Sequence, residues 1–178
     1  IGVRVVENLL KRGFRHVRCF SRLSSSIATI EALAGKYDGT ARIEVVKGNL
    51  LRRDDCEAAT KDVTVVYHLA AGAGEKSFPD AFVNSVVTTR NLLDACLQHS
   101  SLRRFVNVSS ITVYSNVHKP KGRLLDESCP VESHPERVPD AYCYAKIKQD
   151  ELVTEYGKKH GIPYVIVRPG SVYGPGKK

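Results

Sequence analysis

Val63-Thr-Val-Val-Tyr-His-Leu69 is nearly continuously apolar over the length of one strand. A strand of that kind is buried on both faces, as in parallel sheets covered by helices, whereas a half-solvated antiparallel sheet produces strict alternation. The residues downstream support the parallel reading. Over residues 79–99, Phe82, Val83, Val86, Val87, Leu93, Cys96 and Leu97 form one helical stripe, and Arg104-Phe-Val-Asn-Val108 is a strand again. Strand, long amphipathic helix, strand is a crossover unit joining parallel neighbours.

The pattern repeats in both directions. Upstream, residues 1–11 have helical spacing closed by Gly13, and Val17-Arg-Cys-Phe20 is a short strand. A Ser-rich turn at 24–26 leads to a helix over 27–34 stopped by Gly35, then a strand Ile43-Glu-Val-Val46 ended by Gly48 and a short helix at 54–60. Downstream, a proline-containing loop spans 115–139, a helix spans about 140–160, and Pro163 to Arg168 is the last strand. There is no internal repeat. The expected architecture is one α/β domain of the doubly wound, Rossmann type.

Composition bounds the rest. The chain has 178 residues, 42% hydrophobic and 26% charged, which is ordinary for a globular domain and too rich in apolar residues for disorder. No apolar run reaches the roughly 20 residues of a membrane-spanning helix. The five cysteines (19, 56, 96, 129 and 143) are odd in number with no Cys-x-x-Cys pair, and the six histidines form no His-x-x-x-His pair. Reduced thiols in a cytoplasmic protein without metal are therefore expected. The Asn107-Val-Ser sequon lies in a strand and is discounted as a glycan site. The net charge is +8, and Arg4, Lys11, Arg12, Arg15, Arg18 and Arg22 crowd the first 22 residues against Glu7 alone. Such a patch suits a phosphate-bearing ligand or a solvated helix face, and no nucleic-acid partner is inferred from it.

Tyr142-Cys-Tyr-Ala-Lys146 carries the sharpest chemical signal. Residues four apart share a helix face, so a phenol and an ammonium point into one site. A phenol with a pKa of about 10 is a poor base at neutral pH, and a neighbouring cation favours the phenolate. Val106-Asn-Val-Ser-Ser110 leaves its strand with hydroxyls at the carboxyl end, where open α/β sheets bind ligands. Val165-Ile-Val-Arg-Pro-Gly-Ser-Val-Tyr-Gly-Pro-Gly176 leaves the next strand into a Gly/Pro loop. His68 reads as a packed strand histidine.

Together, Ser109-Ser110-Ile111-Thr112-Val113-Tyr114, Tyr142-x-x-x-Lys146 and Arg168 to Gly176 resemble the extended short-chain dehydrogenase/reductase family, the NAD-dependent epimerase/dehydratases. The resemblance covers the whole chain in order and spacing. It implies hydride-transfer catalysis in which Tyr142 moves the proton of a substrate hydroxyl, Lys146 assists it and binds the nicotinamide ribose, and Ser110 holds the substrate oxygen. It also implies that NAD or NADP contacts Gly2, Ser21, Arg22, Asn49, Leu50, Leu69, Ala70, Ala71, Asn84, Ser109, Tyr142, Lys146, Pro169 and Val172. Gly2 stands for the last glycine of the family's phosphate loop, where helix and strand pack closely. Asn49 replaces the family's Asp at the adenine site, and Ser115 replaces the glycine after Val-Tyr. The second strand ends Phe20-Ser21-Arg22, with a guanidinium and no acid to accept the ribose 2′-hydroxyl, which favours NADP.

The implied substrate is a small molecule, a nucleotide sugar by family frequency. A sterol- or ketone-type alcohol dehydrogenase is the alternative, and a non-catalytic cofactor-sensing or RNA-binding relative is the third. The resemblance implies a homodimer at full length. It also places the start of the chain after the family's first strand, and its end before the family's C-terminal substrate domain. In the strand order 3-2-1-4-5-6 the first strand is central. A slot is therefore expected between the strands at 17–20 and 63–69, leaving them roughly 9–10 Å apart, twice the usual spacing. The 178 residues alone are expected to be poorly soluble and to bind NAD(P) weakly.

Overall fold

The computed structural model describes residues 1–72, 77–115, 122 and 124–174. The end of the Arg168–Gly176 motif and part of the 115–139 loop lie outside that set. Helix α1 (Gly2–Lys11) leads into β1 (His16–Arg22), α2 (Ala28–Lys36), β2 (Arg42–Gly48), α3 (Arg53–Thr60) and β3 (Val65–His68). A long helical segment comes next: α4 (Phe78–Ala81), a π-helical stretch (Phe82–Val87) and α5 (Thr88–Leu97). Strand β4 (Arg104–Val108), helix α6 (Ala141–His160) and β5 (Tyr164–Val167) complete the described fold.

Among the described residues the strand ladders are parallel, with one isolated antiparallel bridge between Tyr114 and Val131. β1 pairs with β2 from His16↔Arg42 to Arg22↔Gly48, and β4 pairs with β3 on one side and β5 on the other. These make two sheets, β1-β2 and β3-β4-β5, with no ladder between β1 and β3. That is the arrangement the expected slot requires. The two sheets nevertheless share one core: Cys56 of α3, Leu92, Leu93 and Cys96 of α5, Phe105 of β4 and Val153 of α6 form a single buried cluster, with Phe20 of β1 packed against it.

Three elements differ from the sequence reading. Helix α2 runs through Gly35 to Lys36 rather than stopping there, because a glycine in open space weakens a helix without ending it. Strand β3 stops at His68 and leaves Leu69, Ala70 and Ala71 beyond its end. The stripe drawn on residues 79–99 is broken: Val83 and Leu97 are exposed, whereas Ser85, Thr88 and Thr89 are buried. The cause is the π-helical turn, whose i→i+5 bonding inserts a residue and rotates the next turns away from their places on an α-helical wheel.

Helix α6 is the element that positions the site. Asp140 caps it, its carboxylate accepting from the Cys143 amide at 2.8 Å, and Gly161 ends it in the left-handed conformation at φ +71°. Gly157 lets the helix cross β5 closely: a Cβ there would lie 2.2 Å from the Tyr164 ring.

Candidate active site

The last residues of β4, the turn after it and the first turns of α6 meet at the carboxyl end of the β3-β4-β5 sheet. Ser110 leaves β4 extended and caps a 3-10 turn (Ile111–Val113), its hydroxyl accepting from the Thr112 amide at 3.2 Å. Because that hydroxyl is an acceptor toward Thr112, its own proton remains to be donated elsewhere. Tyr142 and Lys146 lie one turn apart near the start of α6, with the ammonium 5.8 Å from the centre of the phenol ring. Tyr142 is 40% exposed while Lys146 is 4% exposed, so the phenol faces the surface over a buried cation. Nζ of Lys146 donates to the Val108 carbonyl at 2.9 Å, fixing the helix to the strand end beside Ser109 and Ser110.

Beneath this pair is a layer of buried polar side chains. Asp150, one turn beyond Lys146, accepts from Asn107 Nδ2 of β4 at 3.1 Å and from Arg168 Nε after β5 at 3.0 Å. Burial pushes its carboxyl pKa up, while the Ser109 hydroxyl and Arg168 pull it down. Arg168 also donates to the Tyr114 hydroxyl at 3.3 Å and lies over that ring at 5.0 Å. On the other side, Gln149 Nε2 donates to Thr89 Oγ1 at 2.7 Å and to the Ser85 carbonyl at 3.1 Å. Thr89 spends its one proton on Ser85, so His68 Nε2, 2.8 Å away, donates to Thr89. Burial, with Lys146 adding to it, holds the His68 pKa down to about 3, so the ring is neutral and structural.

The remaining sequence-derived positions separate into two groups. Ser21 and Arg22 end β1, Leu69 to Ala71 come directly after β3, and Pro169 lies just past β5 with its carbonyl accepting from the Ile111 amide at 3.2 Å. Arg22 has no ion pair among the described residues, and Asn84 and Val172 are exposed. Other positions serve the protein itself. Leu50 is 9% exposed and belongs to the core. The Asn49 side-chain oxygen accepts from the Leu51 amide, closing its own turn. Ser109 is buried beside Asp150. At Gly2 no close packing is present, since a Cβ would meet nothing within 4 Å. Half of the basic N-terminal cluster is likewise structural: Arg4 and Lys11 pair with Glu7, and Arg18 pairs with Glu44 and the last carbonyls of α3. Asn107 is fully buried in β4, which removes its sequon as a glycan site.

The sequence reading missed Asp150, Asn107, Gln149 and Thr89. For Asp150 a signal existed, since it lies four residues after Lys146 on the same face. For the others none did, because their pairing joins segments far apart in the chain.

Parallel strands with hydroxyls, a buried ammonium and an exposed phenol at their carboxyl ends define an α/β fold of the Rossmann type. The chain matches the NAD dependent epimerase/dehydratase family over residues 1–178 and belongs to it. It is 26% identical over 186 residues to a 3beta-hydroxysteroid-dehydrogenase/decarboxylase of Arabidopsis thaliana, covering 98% of this chain and 39% of that protein. It is 30% identical over 179 residues to a cinnamoyl-CoA reductase of Oryza sativa, covering 98% and 51%. The structure of a UDP-glucuronic acid 4-epimerase from Bacillus cereus in complex with NAD superposes with a TM-score of 0.77 at 26% identity, covering 100% of this chain and 56% of that one. The chain thus spans about two fifths and about half of the length of these two curated relatives.

Proposed function

We propose that this chain carries the catalytic half of an NAD(P)-dependent enzyme that interconverts a secondary alcohol and a carbonyl on a nucleotide sugar. The observation that carries the reading is the pairing of the exposed Tyr142 phenol with the buried Lys146 ammonium beside Ser110. The residues fit a dinucleotide. Ser21 and Arg22 end β1, small residues lie past the end of β3, and Lys146 adds a cation at the end of β4, so hydrogen-bond donors and accessible backbone lie along the carboxyl ends of the strands. When bound, the nicotinamide accepts or gives the hydride.

The chain's own residues handle the proton. The phenol of Tyr142 takes the proton of the substrate hydroxyl in one direction and returns it in the other. Lys146 places a buried positive charge beneath the phenol ring, and its Nζ donates to Val108. Ser110 donates to the substrate oxygen. Asp140 caps α6 and Asp150 holds Arg168 and Asn107, so neither is assigned a proton-transfer role. The exposed apolar side chains Ile111 and Val172 favour a second reading, an apolar alcohol or ketone substrate.

The test is reduced-cofactor absorbance with purified full-length protein against UDP-glucuronic acid, UDP-glucose, a 3β-hydroxysterol and cinnamoyl-CoA. Tyr142→Phe is expected to lower turnover by about 10²–10⁴ while leaving dinucleotide affinity nearly unchanged. A variant keeping more than about half its activity removes Tyr142 from the mechanism. Dinucleotide or RNA binding with no turnover of any substrate would favour the non-catalytic alternative.

A further inference from the structure

Asp150 is a carboxylate only 3% exposed, and nothing in the proposed chemistry requires it to touch substrate. A buried charge without a function of its own is costly unless it is paired and hydrogen-bonded, so its partners indicate what it does. Its two oxygens are divided between two strands. Oδ1 accepts from Asn107 Nδ2 at 3.1 Å, and Oδ2 accepts from Arg168 Nε at 3.0 Å.

Each partner is one residue from a group that holds the reacting side chains. Asn107 precedes Val108, whose carbonyl accepts from Lys146 Nζ. Arg168 precedes Pro169, whose carbonyl accepts from the amide of Ile111, directly after Ser110. Arg168 additionally reaches the Tyr114 hydroxyl at the far end of the same 3-10 turn. Asp150 sits on α6 itself, one turn beyond Lys146 and two beyond Tyr142.

We propose that Asp150 is a positioning residue: from the helix that carries Tyr142 and Lys146 it grips the ends of β4 and β5, and so sets the distance between the proton-transferring phenol and Ser110. The geometry explains why the grip is polar. An apolar side chain at 150 fills the same volume but slides along the strand ends, whereas a carboxylate shared between an amide and a guanidinium fixes direction as well as distance. Reacting groups displaced by about 1 Å lose about 10²-fold in rate, so a small slip here is felt in turnover rather than in affinity.

The inference rests on the proposed reaction, and the experiment separates the two. In the full-length protein, with whichever substrate of the panel is turned over fastest, Asp150→Asn is expected to lower kcat by about 10- to 100-fold with KM for substrate and dinucleotide within about threefold. Asp150→Glu, which keeps the charge, is expected to recover most of the loss. Val153→Ala, a neighbouring core variant on the same helix, is expected to lower the thermal midpoint without lowering kcat at 25 °C.

Should Asp150→Asn not accumulate in folded form, Arg168→Lys reads the same link. It keeps the cation but withdraws the Nε donor, and is expected to lower kcat by about tenfold. A kcat for Asp150→Asn, or for Arg168→Lys where that stands in, within twofold of the parent overturns the proposal. So does a loss that Asp150→Glu fails to restore, or one that Val153→Ala reproduces at equal thermal midpoint. If Tyr142→Phe keeps its activity, the proposed reaction fails instead, whatever Asp150 does.

Discussion

The two sheets of this chain are built differently. In the β3-β4-β5 half, Phe105, Ile147, Gln149, Val153, Asn107 and Thr89 are all at or below 1% exposure, and buried polar groups are tied across strands and helices. In the β1-β2 half α2 has no buried residue; its strands are mostly half-buried, as β3 and β5 also are, so the contrast lies in β4 and the helices packed on it. Chemistry that depends on distances of a few tenths of an ångström sits on the first half, in Ser110, Tyr142 and Lys146. The second half carries Ser21 and Arg22 at the end of β1, which are proposed to read a ligand from the surface. Rigid support and adjustable contact are thus divided between the halves, as expected of a site whose reacting groups need a fixed framework.

The largest test of this contrast is a truncation in each half. Phe105→Ala is expected to cost about 3–5 kcal/mol, whereas Phe20→Ala in half-buried β1 is expected to cost less than about 2 kcal/mol. Urea titration of the full-length protein measures both, and equal losses would erase the contrast. Two glycines sharpen it further. Gly157→Ala forces a methyl into the Tyr164 ring, 2.2 Å away, and is expected to cost about 1–3 kcal/mol. Gly35→Ala, in open space within α2, is expected to stabilise by about 0.5–1 kcal/mol. Thermal midpoints moving in the same direction for both would contradict the packing described.

His68 gives a pH test. Its folded pKa is about 3 against an ordinary 6.5, so between those values the unfolded chain takes a proton that the folded one refuses. Stability from this group is complete above pH 6.5 and is lost as pH falls, by up to about 1.4 kcal/mol per pH unit. His68→Gln, which keeps a donor for Thr89, is expected to flatten that slope. A stability difference between parent and variant that is identical at pH 7 and pH 5 would refute it. The smallest expected stability effect is Arg22→Asp, within about 0.5 kcal/mol for an exposed strand end. That variant is instead expected to shift cofactor preference from NADP toward NAD, read as the ratio of kcat/KM values.

Much of this was legible in the residues. Apolar runs at 43–46, 63–69 and 104–108 identified strands, but the burial on both faces expected for 63–69 is not observed: Tyr67 of β3 is exposed and only His68 of that strand is buried. The Tyr142 and Lys146 pair was legible because four residues is one helical turn, and the observed α6 keeps that spacing. The helix expected at about 140–160 is α6, whose ends the structure closes with Asp140 and Gly161, whereas the end of α2 was misread at Gly35, where the chain makes no left-handed turn.

What the sequence determined by itself was therefore local: periodicity, caps, and the hydroxyls, phenol and ammonium spaced along one strand end and one helix. The π-helical turn at Phe82–Val87 escaped it, because that turn suits the polar side chains packed around it, Gln149 from α6 among them, which donates to the Ser85 carbonyl. Asn49 and Leu50 looked like ligand contacts, and tertiary packing gave one to its own turn and the other to the core. Asp150 looked like an ordinary helix carboxylate. Only the approach of β4 and β5 to α6 supplies Asn107 and Arg168, from 43 and 18 residues away, and a burial that makes their hydrogen bonds strong.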